Sequence, residues 1–469
     1  MKHFEYAVGC LVLPMLFPTL LKAEQPTSTP PNILLIMIDD LGWSDVGYNG
    51  SLYYETPHID ALQSKAISFH NGYAAASNSA PSRASLMTGL YTPRHGVYTV
   101  DPPDRGRAED RKLIPAPNKK VLDPEMRTLP MVLKSKGYQT CHIGKWHVGT
   151  DPLLQGMDLN IAGNHAGHPG SYFSPYKNPN LSDGEPGEYL MDRLAEEAVN
   201  YLDTVSGKQP FFLYYATYAV HTPLQAKPEL IEKYQQKEKT AAHNNPVYAA
   251  MVENMDACVG RVLDALEKNG LAENTLVIFT SDNGGVYNIS RQWPLRAGKG
   301  SFYEGGIREP FLVYQKGKYE GGITLHTPVS HLDLLPTFVE LAGINNKEMI
   351  LDGESLLPLL EKGETDYLTN RTLYWHFPAY LEGGNEESRD PIFRSRPVSV
   401  IRKGDWKLIE NYEDNTLELY NLKEDPSETK DLASSYSRER RELYSQLNKW
   451  KKETKALLPR SATSLSINK

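Results

Sequence analysis

Six short segments of this 469-residue chain carry side chains that could act together on an anion. In Ser79-Ala80-Pro81-Ser82-Arg83, Pro81 fixes φ and suits the first helical position before Ala84-Ser85-Leu86-Met87, with Gly89 as a stop. Ser79 is then expected just before a helix N-terminus, where free N–H groups and the dipole favour negative charge, and Arg83 supplies a fixed cation. Asp39-Asp40 closes the apolar run Ile33–Ile38, and Asp282-Asn283 closes Leu276–Thr280. Three carboxylates and an amide oxygen are hard ligands that suit Ca2+ or Mg2+ far better than Zn2+. Lys145 and His147 stand two residues apart, so in an extended segment they project to one side. His221, ahead of Thr222-Pro223, adds a second imidazole. Lys299 adds a second ammonium, in a Gly-rich stretch where backbone can approach a ligand closely. Taken singly, each has a plainer reading: an ordinary Ser-Pro helix start, Asx-turn loops, a surface Lys-x-His, a polar loop histidine.

The elements that must position them follow from apolar patterning. Ile33–Ile38 reads as a strand buried on both faces of a parallel sheet, and similar runs recur at Phe211–Ala216, Leu276–Thr280 and Phe311–Tyr314, with Thr140–Ile143 a further candidate. Helical patterns lie between them. The clearest has Val247, Met251, Met255, Val259 and Leu263 at steps of four, widened by Val262 and Leu266 and ending near Gly270. Strands alternating with helices predict an α/β fold, a large mainly parallel sheet sandwiched by helices. Ligands of such sheets bind outside the carboxyl ends of the strands, so the two acidic pairs are expected to face one crevice. After about residue 365 the character changes. Ser399–Ile401, Trp406–Ile409 and Leu417–Asn421 read as short antiparallel strands, followed by an amphipathic helix with Leu443, Leu447 and Trp450 on one face. The division expected is a catalytic domain over 33–365 and a smaller C-terminal α+β domain over 366–469.

The formal net charge is −8, with 23 % charged residues and no basic run, which argues against nucleic acid as a partner. An anionic substrate must therefore be held by local cations. Lys2 and His3, the apolar run from Tyr6 to Leu21 and Lys22-Ala23-Glu24 read as a signal peptide over 1–23, followed by a flexible Pro/Thr/Ser-rich lead over 24–32. Pro14, Pro18 and the short run argue against a permanent membrane span. The expected location is the periplasm, the cell surface or the medium. Beyond Cys10, only Cys141 and Cys258 remain, too few for a disulfide framework and without zinc spacing.

Together these segments resemble, in order, the type I sulfatases of the alkaline-phosphatase-like superfamily. Ser79-Ala80-Pro81-Ser82-Arg83 with Leu86-Met87-Thr88-Gly89 resembles the (Cys/Ser)-x-Pro-Ser-Arg signature, and Gly144-Lys145-Trp146-His147, His221-Thr222-Pro223 and the segment around Lys299 match further family elements. Gly404-Asp405-Trp406-Lys407-Leu408 and Leu419-Tyr420-Asn421-Leu422 are similar to the family's C-terminal domain. The resemblance implies that Ser79 is oxidised to formylglycine (3-oxoalanine), whose hydrated aldehyde attacks sulfur. It also implies that Asp39, Asp40, Asp282 and Asn283, together with Ser79 in its oxidised form, hold Ca2+ (Mg2+ in second place), and that Arg83, Lys145 and Lys299 grip sulfate. His147 would act on the formylglycine hydroxyl and His221 would protonate the leaving alcohol. A serine-type motif further implies a transient radical maturase in a bacterial cytoplasm.

For the substrate, the resemblance to exported bacterial sulfatases implies a sulfated polysaccharide or its oligosaccharides, of marine algal type such as ulvan or carrageenan, or a host glycosaminoglycan. His165, His168 and Tyr172 in a Gly/Pro-rich insertion, with Trp375, His376 and Arg394, are candidates for contacting a sugar. Two other readings remain open at this point. One is a phosphonate or phosphodiester hydrolase of the same superfamily; the other is a non-catalytic glycan-binding protein that keeps Ser79 unmodified.

Overall fold

The structure, a computed structural model, describes residues 1, 3, 30–205, 207, 209–364 and 366–461. Nearly all of the expected signal peptide and most of the flexible lead lie outside the described residues. Eight strands form the main sheet in the spatial order Ile323–Leu325, Ile67–Phe69, Phe311–Tyr314, Thr275–Ser281, Asn32–Ile38, Phe211–Ala216, Gln139–Gly144, Leu159–Ile161. The central strand Asn32–Ile38 is parallel to Thr275–Ser281 on one side and to Phe211–Ala216 on the other. It is buried along its whole length, as a continuous apolar run in a doubly covered sheet must be.

One strand departs from expectation. Phe311–Tyr314 runs antiparallel to both of its neighbours, so the sheet is mixed. Its apolar run gives no direction, because parallel and antiparallel strands buried on both faces look alike in sequence. Two hydrophobic layers cover the sheet. One contains the long helix Pro246–Lys268, whose Met251, Met255, Val259 and Val262 are buried; the other contains Leu334, Leu335 and Phe338 of the helix Leu334–Leu341.

The C-terminal part is an antiparallel sheet in the order Thr372–Phe377, Val398–Lys403, Trp406–Asn411, Thr416–Asn421, backed by the helix Ser437–Glu453. Thr372–Phe377 is a strand that the turn pattern did not reveal, because the chain between Phe377 and Val398 is too long to form a short hairpin. Leu443, Leu447 and Trp450 pack on this sheet with Ile401 and Leu408. No helix among the described residues is long and apolar enough to cross a membrane.

Candidate active site

The register of the central strands assembles the site. Ile38 pairs with Ser281, so Asp39-Asp40 and Asp282-Asn283 leave adjacent parallel strands side by side at their carboxyl ends. Asp40 adopts a left-handed conformation, φ 63°, one that aspartate tolerates better than most residues. Its backbone N–H donates to Asp282 Oδ1 at 3.2 Å, and its Oδ1 accepts from Asn283 Nδ2 at 2.8 Å. All four side chains are fully buried or nearly so.

Ser79 enters from the helix Ser79–Thr88, which begins two residues earlier than the proline suggests. Asn78 is the N-cap, Ser79 lies in the first turn, and Gly89 ends the helix in a left-handed conformation. The Ser79 hydroxyl lies 3.3 Å from both Asp39 Oδ1 and Asn283 Oδ1 and accepts from Lys145 Nζ at 3.1 Å. One turn on, Arg83 is wholly buried; its Nε donates to Asp282 at 2.8 Å and its Nη1 to the Lys145 carbonyl at 3.0 Å. Arg83 Nη2 is buried without a hydrogen-bond partner. Tyr214, on the strand Phe211–Ala216, places its hydroxyl 3.4 Å from Arg83 Nη1. Sequence reasoning missed it, since a tyrosine in a buried strand reads as core.

Lys145 and His147 do not lie on a regular strand. The strand ends at Gly144, where φ is 106° and a β-carbon would collide with the Ala216 carbonyl, so the chain turns there. His147 is itself left-handed at φ 64°. The side-chain alternation of extended backbone therefore does not apply, yet both residues still reach the crevice. Lys145 Nζ pairs with Asp39 at 2.7 Å. His147 is buried with its Nδ1 unpartnered, and burial with the charges of Lys145, Arg83 and His165 holds its imidazole well below the ordinary range.

Lys299 Nζ donates to both Asp40 oxygens, at 2.5 and 2.7 Å. His221 presents Nε2 at 3.6 Å from Asp40, while its Nδ1–H donates to the Thr222 carbonyl at 2.7 Å. Burial and the Lys299 ammonium hold this imidazole at about 3, with Asp40 offsetting only part of the effect. One candidate ligand atom from each of Asp39, Asp40 and His221 lies within 4.8 Å of the other two, so these residues could hold a metal ion.

The charge balance bears on whether a divalent cation fits. Burial pushes the Asp39 carboxyl up to about 8, and Asp282 and Asp40 add to the push against the opposing Lys145. Asp282 is instead held far below the carboxylate range by Arg83 and Lys145, against its burial. Three carboxylates thus converge with Arg83, Lys145 and Lys299, and burial is the main reason Asp39 is held above its ordinary value. An additional cation among these hard oxygen donors would favour the ionised form of Asp39.

The residues nominated for sugar contact divide. His165 and His168 are exposed, with rings 6.0 Å from those of His147 and His221 respectively. Arg394 is partly buried, packs over Gly300 and feels the charge of Asp40. Tyr172 is wholly buried, and its hydroxyl donates to the carbonyls of Tyr218 and His221, at 2.6 and 2.8 Å; it supports the His221 loop rather than facing a sugar. Trp375 and His376 belong to the core. Trp375 Nε1 donates to the Ala74 carbonyl, while His376 is fixed between Ser399 Oγ and the Leu457 carbonyl. Both are 2 % exposed. An indole or imidazole serves a core as readily as a binding surface, so residue type alone misassigned them.

Comparison with known proteins agrees with this geometry. Residues 31–344 match the family described as Sulfatase, and residues 298–455 match that described as N-sulphoglucosamine sulphohydrolase, C-terminal. The chain is 33 % identical to a sulfatase of Formosa agariphila, over 92 % of this chain and 90 % of that protein. It is 32 % identical to N-acetylgalactosamine-6-sulfatase of Mus musculus, over 74 % and 69 %. The crystal structure of Ps i-CgsB in complex with k-i-k-neocarrahexaose superposes with a TM-score of 0.76 at 32 % identity, covering 93 % of this chain and 96 % of that one. This chain belongs to the sulfatase family and is a sulfuric ester hydrolase with that family's alkaline-phosphatase-like fold.

Proposed function

We propose that this enzyme removes sulfate from a sulfated polysaccharide or its oligosaccharides, with Ser79 as the residue converted to formylglycine and Ca2+ held by Asp39, Asp40, Asp282 and Asn283. The observation that carries this reading is the convergence of Lys145, Asp39 and Asn283 on the Ser79 hydroxyl, each within 3.3 Å. Formylglycine would supply a hydrated aldehyde whose second hydroxyl allows sulfate to be expelled, and Ca2+ would supply positive charge at the sulfate oxygens.

The chain's own residues do the remainder. Lys145 pairs with Asp39 and Lys299 with Asp40, two cations placed to hold and orient an ester sulfate group. Arg83 reaches the site through Asp282 and the Lys145 carbonyl, fixing the metal-facing carboxylate and the lysine backbone together. The Nδ1–H bond of His221 to Thr222 leaves Nε2 facing the crevice, the atom placed to pass a proton to the departing alcohol. An anionic ester beside Lys299 offsets the cation that lowers this imidazole and raises its proton affinity where the proton is needed. His147, unpartnered at Nδ1, is the remaining base.

The polysaccharide reading is supported by the similarity to Ps i-CgsB, whose complex contains k-i-k-neocarrahexaose, and by the exposed His165 and His168 beside the two catalytic imidazoles. The serine-type motif favours maturation by a radical maturase in a bacterial cytoplasm, and the N-terminal sequence favours export to the periplasm, cell surface or medium. The test is the mass of the tryptic peptide Ala66–Arg83 from protein made with a radical maturase. A peptide two hydrogens lighter than encoded, reactive toward hydrazide, is the expected result. Unmodified Ser79 in enzyme that nonetheless turns over sulfate esters would overturn the proposed nucleophile.

A further inference from the structure

A second cleft, of about 740 Å3, opens between the main sheet and the C-terminal sheet, and no residue of the crevice lines it. His70 and Arg308 border it from the catalytic part, and Arg402, Trp406 and Leu422 from the C-terminal sheet. Its floor is cationic. Arg308 and Arg402 are 3 % and 4 % exposed, and Lys407 lies fully buried behind them. Glu304 accepts from Lys407 at 2.9 Å and from Arg308 at 2.7 Å, and Glu428 pairs with Lys407 at 2.7 Å.

Arg402 is left over. It donates to the Tyr73 hydroxyl and to the Gly404 carbonyl, and no carboxylate of the described residues lies within 4.0 Å of it. Tyr73 passes the interaction on, donating to Glu304 at 2.6 Å, but Glu304 already carries two cations. Burial pushes the Glu428 carboxyl up to about 7 against its Lys407 partner, so Glu428 is committed to Lys407 and not to Arg402. A guanidinium taken from water with no carboxylate in contact, and only a share in the charge of Glu304, is costly, and the cleft is the open space from which a counter-ion can come. The acidic residues bordering the cleft do not fill this role. Glu439 is half-buried, Glu442 is exposed at its rim and paired with Arg438 at 2.9 Å, Asp405 is exposed in the turn before Trp406, and Glu364 accepts from the backbone of His326 and Thr327. Trp406, half-buried and 5.0 Å from Tyr436, supplies an aromatic wall.

We propose that this cleft is a non-catalytic binding site for a sulfated saccharide, with the sulfate against Arg402 and Arg308 and a sugar face against Trp406. The choice of sulfate over other anions rests on the function proposed above; the site itself does not. Trp406 reports on the cleft directly. Titration of the full chain with a sulfated galactose disaccharide should give a saturable change in tryptophan fluorescence. That change should vanish in Trp406→Phe and weaken at least tenfold in Arg402→Met, both of which should hydrolyse an aryl sulfate normally. It should persist in Lys299→Ala, where hydrolysis is lost. If Arg402→Met fails to fold, Lys423→Glu at the exposed rim should weaken binding at least threefold instead. No change, an equal change with the unsulfated disaccharide, or loss of the change in Lys299→Ala would each overturn the proposal. Intact fluorescence titration with no hydrolysis of any sulfate ester would count against the proposed function alone.

Discussion

Lys145 Nζ lies 3.1 Å from Ser79 Oγ and 2.7 Å from Asp39, so one ammonium ties the proposed nucleophile to a carboxylate of the proposed metal site. No surface cation could take its place, because all three side chains are withdrawn from solvent. Lys145→Met should therefore lower kcat on a sulfate ester by about 10²–10³-fold, the usual cost of losing one pre-aimed charge at a reacting centre. Steady-state kinetics on matched preparations checks this. A loss confined to KM would mean that Lys145 only binds substrate.

Arg83 tests the scaffold beneath the chemistry. Its guanidinium is buried against Asp282 at 2.8 Å, and removal leaves that carboxylate uncompensated. Arg83→Met should destabilise the fold by about 3–5 kcal/mol, as for other broken buried ion pairs. Denaturant melts of wild type and variant, read at equal Ca2+, measure the difference.

These two residues also indicate how far the sequence could be read. The acidic pairs were legible because carboxylates closing fully apolar strands point to a ligand at the sheet's carboxyl edge, and neighbouring parallel strands bring such ends together. Arg83 was legible because it follows Ser79 by one helical turn. The route of Lys145 and His147 into the crevice was not, since it depends on a turn at Gly144 and a left-handed His147 that no pattern encodes. Trp375, His376 and Tyr172 failed for a different reason. Their types serve cores and sugar sites equally, and only the pairing of Trp375 with Val400 inside a sheet separates the two. The Glu304–Arg308–Lys407–Glu428 cluster was invisible because its two halves, Glu304–Arg308 and Lys407–Glu428, are joined by a contact between Glu304 and Lys407, 103 residues apart.

Metal removal should be visible without activity. If Asp39, Asp40, Asp282 and Asn283 hold Ca2+, a chelator should lower the melting temperature and added Ca2+ should restore it. Ca2+ at a hundred times its dissociation constant adds about 2.7 kcal/mol to stability. Asp282→Asn should abolish the Ca2+ response. A melting temperature indifferent to chelator in the wild type would remove the metal from the site.

Acid stability follows from buried histidines outside the catalytic set. His95 bonds to Ser85 Oγ at 2.9 Å and accepts from the Val97 N–H; His376 lies between Ser399 and the Leu457 carbonyl. Burial lowers them from 6.5 to about 3 and about 4, so both are neutral in the fold and take up a proton on unfolding. The folded value lies below the unfolded one. The stability they contribute is thus complete above pH 6.5 and is lost as pH falls toward 4. Within that window His376→Gln should flatten the dependence of unfolding free energy on pH by up to about 1.4 kcal/mol per pH unit. Chemical denaturation across the window checks it, and an unchanged slope would show that His376 does not titrate on unfolding.

His221 makes the sharpest claim about chemistry. Its Nδ1–H is committed to Thr222, so only Nε2 can deliver a proton into the crevice. A sugar alkoxide leaves poorly and needs that proton, whereas an activated phenolate does not. His221→Ala should therefore cost about 10²–10⁴-fold on a sugar sulfate. On 4-nitrophenyl sulfate, whose leaving group needs no acid, the same variant should lose less than about tenfold if proton donation is its main role. Equal losses on both esters would instead mark His221 as a residue that holds Asp40 and the bound metal, a role its 3.6 Å approach to Asp40 also permits. The ratio of the two effects separates proton donor from ligand, because a ligand's loss is felt before the identity of the leaving group matters.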